Sequence, residues 1–121
     1  MKEVHHGRIQ GYAHWPAPQS NDELYANLKW QPDGTFHVLA TSWDDHSLYK
    51  TGEKQPIPGK GLDQPSLWTV NYGSGRVFVD ALGHDPEAMK LPGFAATLTR
   101  GAEWAATGKV TIPVPPELSA N

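Results

Sequence analysis

The sequence predicts an α/β fold, in which a strand and a β-hairpin form a sheet and one amphipathic helix packs against it. Residues 36–43 (FHVLATSW) are β-branched and aromatic with apolar alternation, which is typical of a strand. Residues 67–82 contain two further alternating segments around a Gly-Ser-Gly turn. Glycines supply the positive φ angles of tight hairpin turns, so these two segments are expected to pair.

The helix is predicted over residues 93–107. Apolar residues at i, i+4 spacing form one stripe on it, and we expect Phe94, Leu98 and Ala105 of this stripe to be buried on the sheet. Gly108 follows the stripe and is expected to end the helix as its C-terminal cap. A face of period two and a helical stripe together give a layered α/β structure.

The composition excludes several classes of function. The chain has 121 residues, enough for a single domain spanning 1–121, with a net charge of −3 and no basic block, so nucleic acid is not an expected partner. No apolar run approaches about 18 residues and the N-terminus has no apolar signal core, which predicts a cytoplasmic protein without membrane contact. There is no cysteine, so disulfides and a cysteine nucleophile are excluded.

Two ends of the chain are expected to be irregular. Residues 1–22 are rich in proline, histidine and small polar residues, and are interpreted as a loop-rich segment. Residues 109–121 are proline-rich and are predicted to form an extended tail lying across a neighbouring surface. Between the strand and the hairpin, residues 44–64 form a long polar loop with several Gly and Pro breakers.

His84 is the first candidate for chemistry, because it lies where a strand gives way to a helix start. Ligands bind at strand ends in open α/β sheets, and an ordinary imidazole exchanges protons near neutrality. The alternative is that His84 caps the helix start. Glu23 is the second candidate, since a carboxylate often orients a catalytic histidine. Its alternative is a solvated side chain beside Asp22, which would then cap a turn.

Aromatic and metal-binding candidates remain open. Tyr25, Trp43 and Trp15 are candidates for the walls of a substrate cleft, although a single Trp is more often part of the core. Imidazole and carboxylate ligands suit Zn, and acidic loops suit Ca, so a divalent metal is an alternative. Its candidate ligands are His84, Glu23, Asp44 and His46, but their spacing matches no metal-binding motif.

Three segments of the sequence resemble the C-terminal half of the ThuA-like family, which is named for trehalose utilisation. They are PSLWTVNYGSGRVF, the LGHD word followed by GF, and LTRGAEWAATGKVTIP. The family shares the fold of class I glutamine amidotransferases, so the resemblance implies a partial flavodoxin-like layer with a mixed sheet. The amidotransferase histidine also follows a strand, in an H-P-E word. His84 is the positional counterpart of that histidine, in the motif His84-Asp85-Pro86-Glu87, which is one residue longer than H-P-E.

The resemblance implies a bacterial protein of carbohydrate metabolism with a hydrolase-like activity. Glutamine amidotransferase chemistry is excluded because it needs a cysteine, and the sequence has none. In this interpretation His84 is the acid/base, Glu23 (in the family's D-E-L-Y word) is its partner, and a small molecule such as a sugar is the substrate. A metal-assisted hydrolase of an ester, lactone or glycoside is the second interpretation. Family members are normally longer, which implies that their N-terminal half is missing here. The third interpretation is therefore a non-catalytic half-domain forming a homodimer that buries more than ~1,000 Å².

Overall fold

A computed structural model describes residues 3–4, 20–26, 28–30, 35–44 and 61–119. The described strands are β1 (Glu3–Val4), β2 (Ser20–Asn21), β3 (Thr35–Trp43), β4 (Asp63–Tyr72) and β5 (Gly75–Asp80). The described helices are α1 (Pro86–Met89), α2 (Pro92–Thr107) and a 3₁₀ turn at Pro116–Leu118. The predicted α/β class is confirmed, and the strand, hairpin and helix all lie where the sequence pattern places them.

Strands β3, β4 and β5 form one sheet in that order, and β1 pairs with β2. Every pairing among the described strands is antiparallel, in place of the mixed sheet that was expected. The tight turn after Tyr72 explains the β4–β5 pairing, because a connection this short can only join antiparallel strands. Gly73 takes the positive φ of 57° that this turn requires. Strand β4 begins at Asp63, earlier than the predicted hairpin start at residue 67.

Helix α2 packs against β5 through small residues. Gly101 is buried, and a Cβ atom there would lie 2.1 Å from the Phe78 ring, so the helix approaches the strand as closely as glycine allows. The predicted stripe was wrong in this respect, since Leu98 is 45% exposed. Phe94 and Ala105 are half-buried, and the fully buried positions of α2 are Gly93, Ala96 and Gly101. The close approach shifts the contact face towards the glycines.

The C-terminus of α2 confirms its predicted cap. Gly108 has a φ of 76°, and its N–H donates to the Trp104 carbonyl. Beyond it, the tail is fixed to the helix by Glu103, whose carboxylate accepts the N–H groups of Thr111 and Ile112 at 2.8 and 3.0 Å. Hydrogen bonds from Ile112 and Thr111 lower the pKa of Glu103. The start of the tail is therefore held against α2, and the 3₁₀ turn at Pro116–Leu118 interrupts the extended tail that the sequence predicted.

Aromatic residues cluster on the sheet away from α2's glycines. Trp30 stacks on Phe36 with ring centroids 4.3 Å apart and meets Trp68 edge-on at 5.3 Å. These rings pack on one another at a partly exposed face of the sheet, since Phe36 is 40% exposed. In the part of the chain that the structure describes, no helix is both long and apolar enough to cross a membrane.

Candidate functional site

The loop that follows β5 is held by hydrogen bonds at each of its first backbone N–H groups. Ala81 donates to the Ser66 carbonyl at 2.9 Å, and Leu82 donates to Asp80 Oδ1 at 3.0 Å. Gly83 then takes a φ of 85°, a left-handed conformation that favours glycine. The backbone turns sharply at this point, and the next residue is His84.

Phe94 of α2 lies directly against this turn. A Cβ atom built on Gly83 would lie 2.4 Å from Cε2 and 2.6 Å from Cζ of Phe94. Both the backbone conformation and the available space therefore require glycine at position 83. The path of the chain into His84 is set by the helix packed beside it.

Asp22 connects this loop to the segment that follows β2. Its carboxylate Oδ1 accepts the N–H of Glu23 at 2.8 Å and that of His84 at 3.0 Å. Its Oδ2 accepts the N–H of Gly83 at 2.8 Å. The side chain is buried, with 6% exposed. We call these three hydrogen bonds the Asp22 network; they join two segments that lie more than sixty residues apart in the sequence.

The two candidate catalytic residues lie side by side at the surface. Nδ1 of His84 is 2.8 Å from Oε2 of Glu23, and the two side chains are 52% and 46% exposed. A carboxylate only accepts hydrogen bonds, so this contact requires a proton on Nδ1 and leaves Nε2 as the other position of proton exchange. The structure thus brings together the pair that the sequence singled out, while their catalytic roles stay a prediction.

The helix-capping role considered for His84 belongs to its neighbour. Asp85 is the N-cap of α1, and its Oδ1 accepts the N–H groups of Glu87 and Ala88 at 3.0 and 2.8 Å. Pro86 occupies the first turn, where a missing N–H costs nothing. The His84 side chain is therefore not needed to start the helix.

Asp80 is a second carboxylate behind the same loop. Burial raises its pKa, and the negative charge of Asp22 raises it further, while hydrogen bonds from Leu82 and Thr97 act in the opposite direction. The Thr97 hydroxyl of α2 donates to Oδ2 at 2.9 Å. Asp80 thus links β5, the loop and α2, and its carboxylate faces inward.

The structure describes two of the three aromatic candidates for substrate binding. Tyr25 follows Glu23 by two residues and is 49% exposed, and Trp43, at the end of β3, is 42% exposed. Trp15 and His46 lie outside the described residues. The substrate-binding role of the three aromatic residues stays a prediction.

The metal candidates do not form a cluster in the described part of the chain. Asp44 is buried, with 1% exposed, and Gln64 Nε2 donates to its Oδ2 at 3.5 Å. Across residues 3–4, 20–26, 28–30, 35–44 and 61–119, no group of three or more His, Cys, Asp or Glu side chains could hold a metal ion. The divalent metal stays a prediction.

A groove of about 350 Å³ lies elsewhere, between the sheet and α2. Its walls are mainly apolar and include Leu39, Phe78 and Trp104, with Arg100 as the charged side chain. Neither His84 nor Glu23 lines it. The expected aromatic pocket around the His84–Glu23 pair is therefore not this groove.

Comparison with known proteins places the chain in a family. The model of the ThuA family, described as trehalose utilisation, matches residues 3–105. The chain belongs to the ThuA family. No protein with a curated description is significantly similar to it. The match covers β1 through most of α2, so both segments joined by the Asp22 network fall within the ThuA region.

A solved structure of a ThuA-like protein from Parabacteroides merdae ATCC 43184 is similar in sequence and fold. It is 35% identical with a TM-score of 0.55, over 69% of this chain and 33% of that protein. The chain thus spans about a third of the length of this ThuA-like relative. The match agrees with a partial flavodoxin-like fold for the described layer.

Sequence reasoning underestimated Asp22. The sequence pattern assigns Asp22 only the capping of a local turn, which is the usual role of an acid in a loop. The N–H groups of Gly83 and His84, which donate to the Asp22 carboxylate, are distant in the sequence and leave no local pattern. The one available signal was the positive φ expected of a glycine before His84, which implies a turn whose N–H groups need acceptors.

Proposed function

We propose that this chain acts in trehalose utilisation, the role that describes its family, as a hydrolase-like enzyme that uses His84 and Glu23 as an acid–base pair. The observation that supports this proposal is the 2.8 Å contact between His84 Nδ1 and Glu23 Oε2 at a half-exposed surface. A histidine in contact with a carboxylate and still accessible to solvent can reach a small-molecule substrate. Tyr25, Trp43 and Trp15 are proposed to contact that substrate.

The chemistry follows from the two ring nitrogens. Glu23 accepts a hydrogen bond from Nδ1–H, which keeps the lone pair on Nε2 and stabilises the positive charge that forms when Nε2 takes a proton. Nε2 would remove a proton from an attacking water and return it to the leaving oxygen. General acid–base catalysis of this kind contributes about 10²–10⁴-fold to a rate.

The state of the neighbouring carboxylates favours one class of substrate. Glycoside hydrolysis ordinarily uses two carboxyl groups on either side of the scissile bond. Asp22 and Asp80 are both engaged by backbone N–H groups, which leaves Glu23 as the exposed carboxylate next to His84. A single His–Glu pair suits attack of water on a carbonyl, so we propose a sugar-derived ester or lactone as the substrate.

The direct test is hydrolysis by the full chain of a panel of sugar lactones and esters, with trehalose included. His84→Ala should abolish turnover, and Glu23→Gln should lower kcat by about 10²-fold, with the circular dichroism spectrum unchanged. Glu87→Gln is the matched control, because Glu87 is an exposed carboxylate that contacts Lys90 on α1 instead. A His84→Ala variant with wild-type activity would contradict the assignment.

Chelation separates this proposal from the metal-assisted alternative. With His84 and Glu23 supplying the proton transfer, EDTA should leave the rate unchanged. A rate that falls with EDTA and returns with Zn or Ca would support the metal-assisted hydrolase instead.

We also propose that the chain forms a homodimer. Strand β5 is at the edge of the described three-stranded sheet, and Val77 on it is 42% exposed. Edge strands carry unpaired N–H and C=O groups that can pair with another chain. Light scattering at micromolar concentration should give twice the monomer mass, and Val77→Lys should halve it, whereas Met89→Lys on α1 should not. A monomer at all concentrations would refute the dimer.

A further inference from the structure

We propose that Asp22 is a positioning residue, whose buried carboxylate holds His84 and Glu23 together by binding the backbone of both segments. This inference rests on the proposed acid–base role of the pair, and concerns how that pair is built. It assigns no contact between Asp22 and the substrate.

The first argument is the geometry of the Asp22 network. One oxygen, Oδ1, accepts the N–H of Glu23 at 2.8 Å and the N–H of His84 at 3.0 Å. The two catalytic candidates are thus bonded through their backbones to the same atom. Their side chains are also in contact, with His84 Nδ1 at 2.8 Å from Glu23 Oε2.

The second argument concerns the strength of the described interactions that join His84 and Glu23. His84 and Glu23 are each about half exposed, and an exposed ion pair by itself does little to hold two side chains together. Hydrogen bonds from N–H groups to a carboxylate are stronger than those between neutral groups, and burial protects them from water. The buried Asp22 network, rather than the exposed contact, therefore sets the distance between the two side chains.

The third argument comes from the opposite side of the loop. Gly83 donates to Oδ2 of Asp22 at 2.8 Å, while the Phe94 ring occupies the space where its Cβ would be. The loop is confined between Asp22 and Phe94, and this confinement restricts the backbone of His84. Loss of Asp22 would remove one side of this confinement.

The test is the tautomer of His84, which reports its contact with Glu23 without any measurement of activity. In a ¹⁵N-histidine NMR spectrum at about pH 8, where an ordinary imidazole is neutral, the His84 signals should show the Nδ1–H form. They are assigned by their loss in His84→Gln. Glu23→Ala, which removes the acceptor, gives the reference spectrum of a His84 without its partner.

Asp22→Ala should move the His84 signals to that reference, with the Nδ1–H form reduced from the main to the minor species. Asp22→Asn keeps the volume, but in either orientation its NH₂ group faces at least one N–H donor, so it should give an intermediate shift; it also serves if Asp22→Ala does not fold. Asp80→Asn is the matched control, because Asp80 accepts from Leu82 in the same loop and contacts neither catalytic candidate.

Kinetics supply the second measurement once a substrate is found. A misplaced pair lowers kcat by about 10²-fold with KM little changed. If turnover is never detected but the tautomer shifts as described, the positioning role stands and the proposed hydrolase fails. If folded Asp22→Ala and Asp22→Asn both keep the wild-type His84 spectrum, the positioning role is overturned, whatever the activity.

Discussion

Replacing Gly83 with alanine should destabilise the protein and disturb the site through two separable effects. The residue has a φ of 85°, and an L side chain in a left-handed conformation costs about 1–2 kcal/mol. The new Cβ would also lie 2.4 and 2.6 Å from two ring atoms of Phe94. Relieving such an overlap by shifting the ring costs about 1–3 kcal/mol. Gly83→Ala should therefore lower the free energy of unfolding by about 2–5 kcal/mol.

The two effects can be measured apart, because only the steric one involves Phe94. Leucine lacks the Cε2 and Cζ atoms that the new Cβ would meet. In a Phe94→Leu background the overlap is removed, and Gly83→Ala should cost only the conformational part, about 1–2 kcal/mol. The difference between the two backgrounds is the coupling energy of a double-mutant cycle.

Urea unfolding followed by tryptophan fluorescence gives all four stabilities, and the His84 ¹⁵N spectrum shows whether the loop has moved. We expect a smaller effect of Gly83→Ala when Phe94 is leucine. Equal effects in the two backgrounds would refute the steric part of the reasoning. A total change below about 1 kcal/mol would refute both parts, since the backbone strain alone exceeds it.

Three further predictions concern α2 and its neighbours. Gly101→Ala should destabilise by about 1–3 kcal/mol in thermal melts despite its better helix propensity, because its Cβ would meet the Phe78 ring, and Phe78→Leu should reduce the loss. Because burial raises the pKa of Asp80 above its ordinary 3.8, the stability linked to its protonated form is lost as pH rises through the folded value. Asp80→Asn cannot ionise, so in urea titrations its stability relative to wild type should increase from about pH 4 to about pH 7; an unchanged difference contradicts this. Glu103→Gln should lower the protection of the Thr111 amide against hydrogen exchange, measured as its rate relative to that of an unstructured peptide at the same pH. In the wild-type chain this protection should be lost only as pH falls through the lowered pKa of Glu103.

Local patterns in the sequence predicted β3, the hairpin and α2, but missed β1 and β2, which lie in the segment interpreted as loop-rich. Strand β3, the hairpin turn and the C-cap of α2 each depend on residues within a few positions, so alternation and glycine placement predicted them. The Leu98 side chain shows where this fails: it fits the apolar stripe of α2 but is 45% exposed. The close contact of Gly101 with Phe78 rotates the buried face, and periodicity counts apolar side chains without registering the advantage of having none.

The sequence predicted the two side chains of the candidate site, but not the hydrogen bonds from backbone N–H groups to Asp22 that hold them. His84 and Glu23 were identified from strand-end position and from the family's motifs, and the structure brings them into contact. Asp22 acts through backbone N–H groups from a distant segment, which any residue except proline would present. Because a backbone N–H group can donate from almost any residue type, such a hydrogen bond leaves no pattern in a single sequence.

That Asp22 binds main-chain atoms has a practical consequence for redesign. The donors at positions 23 and 84 are backbone N–H groups, so either side chain can be replaced without removing a hydrogen bond from the Asp22 network. His84→Cys would present a thiol, and Glu23→His an imidazole, at the same surface and on the same supports. The chain thus offers a frame in which different reactive groups can be compared at fixed backbone geometry.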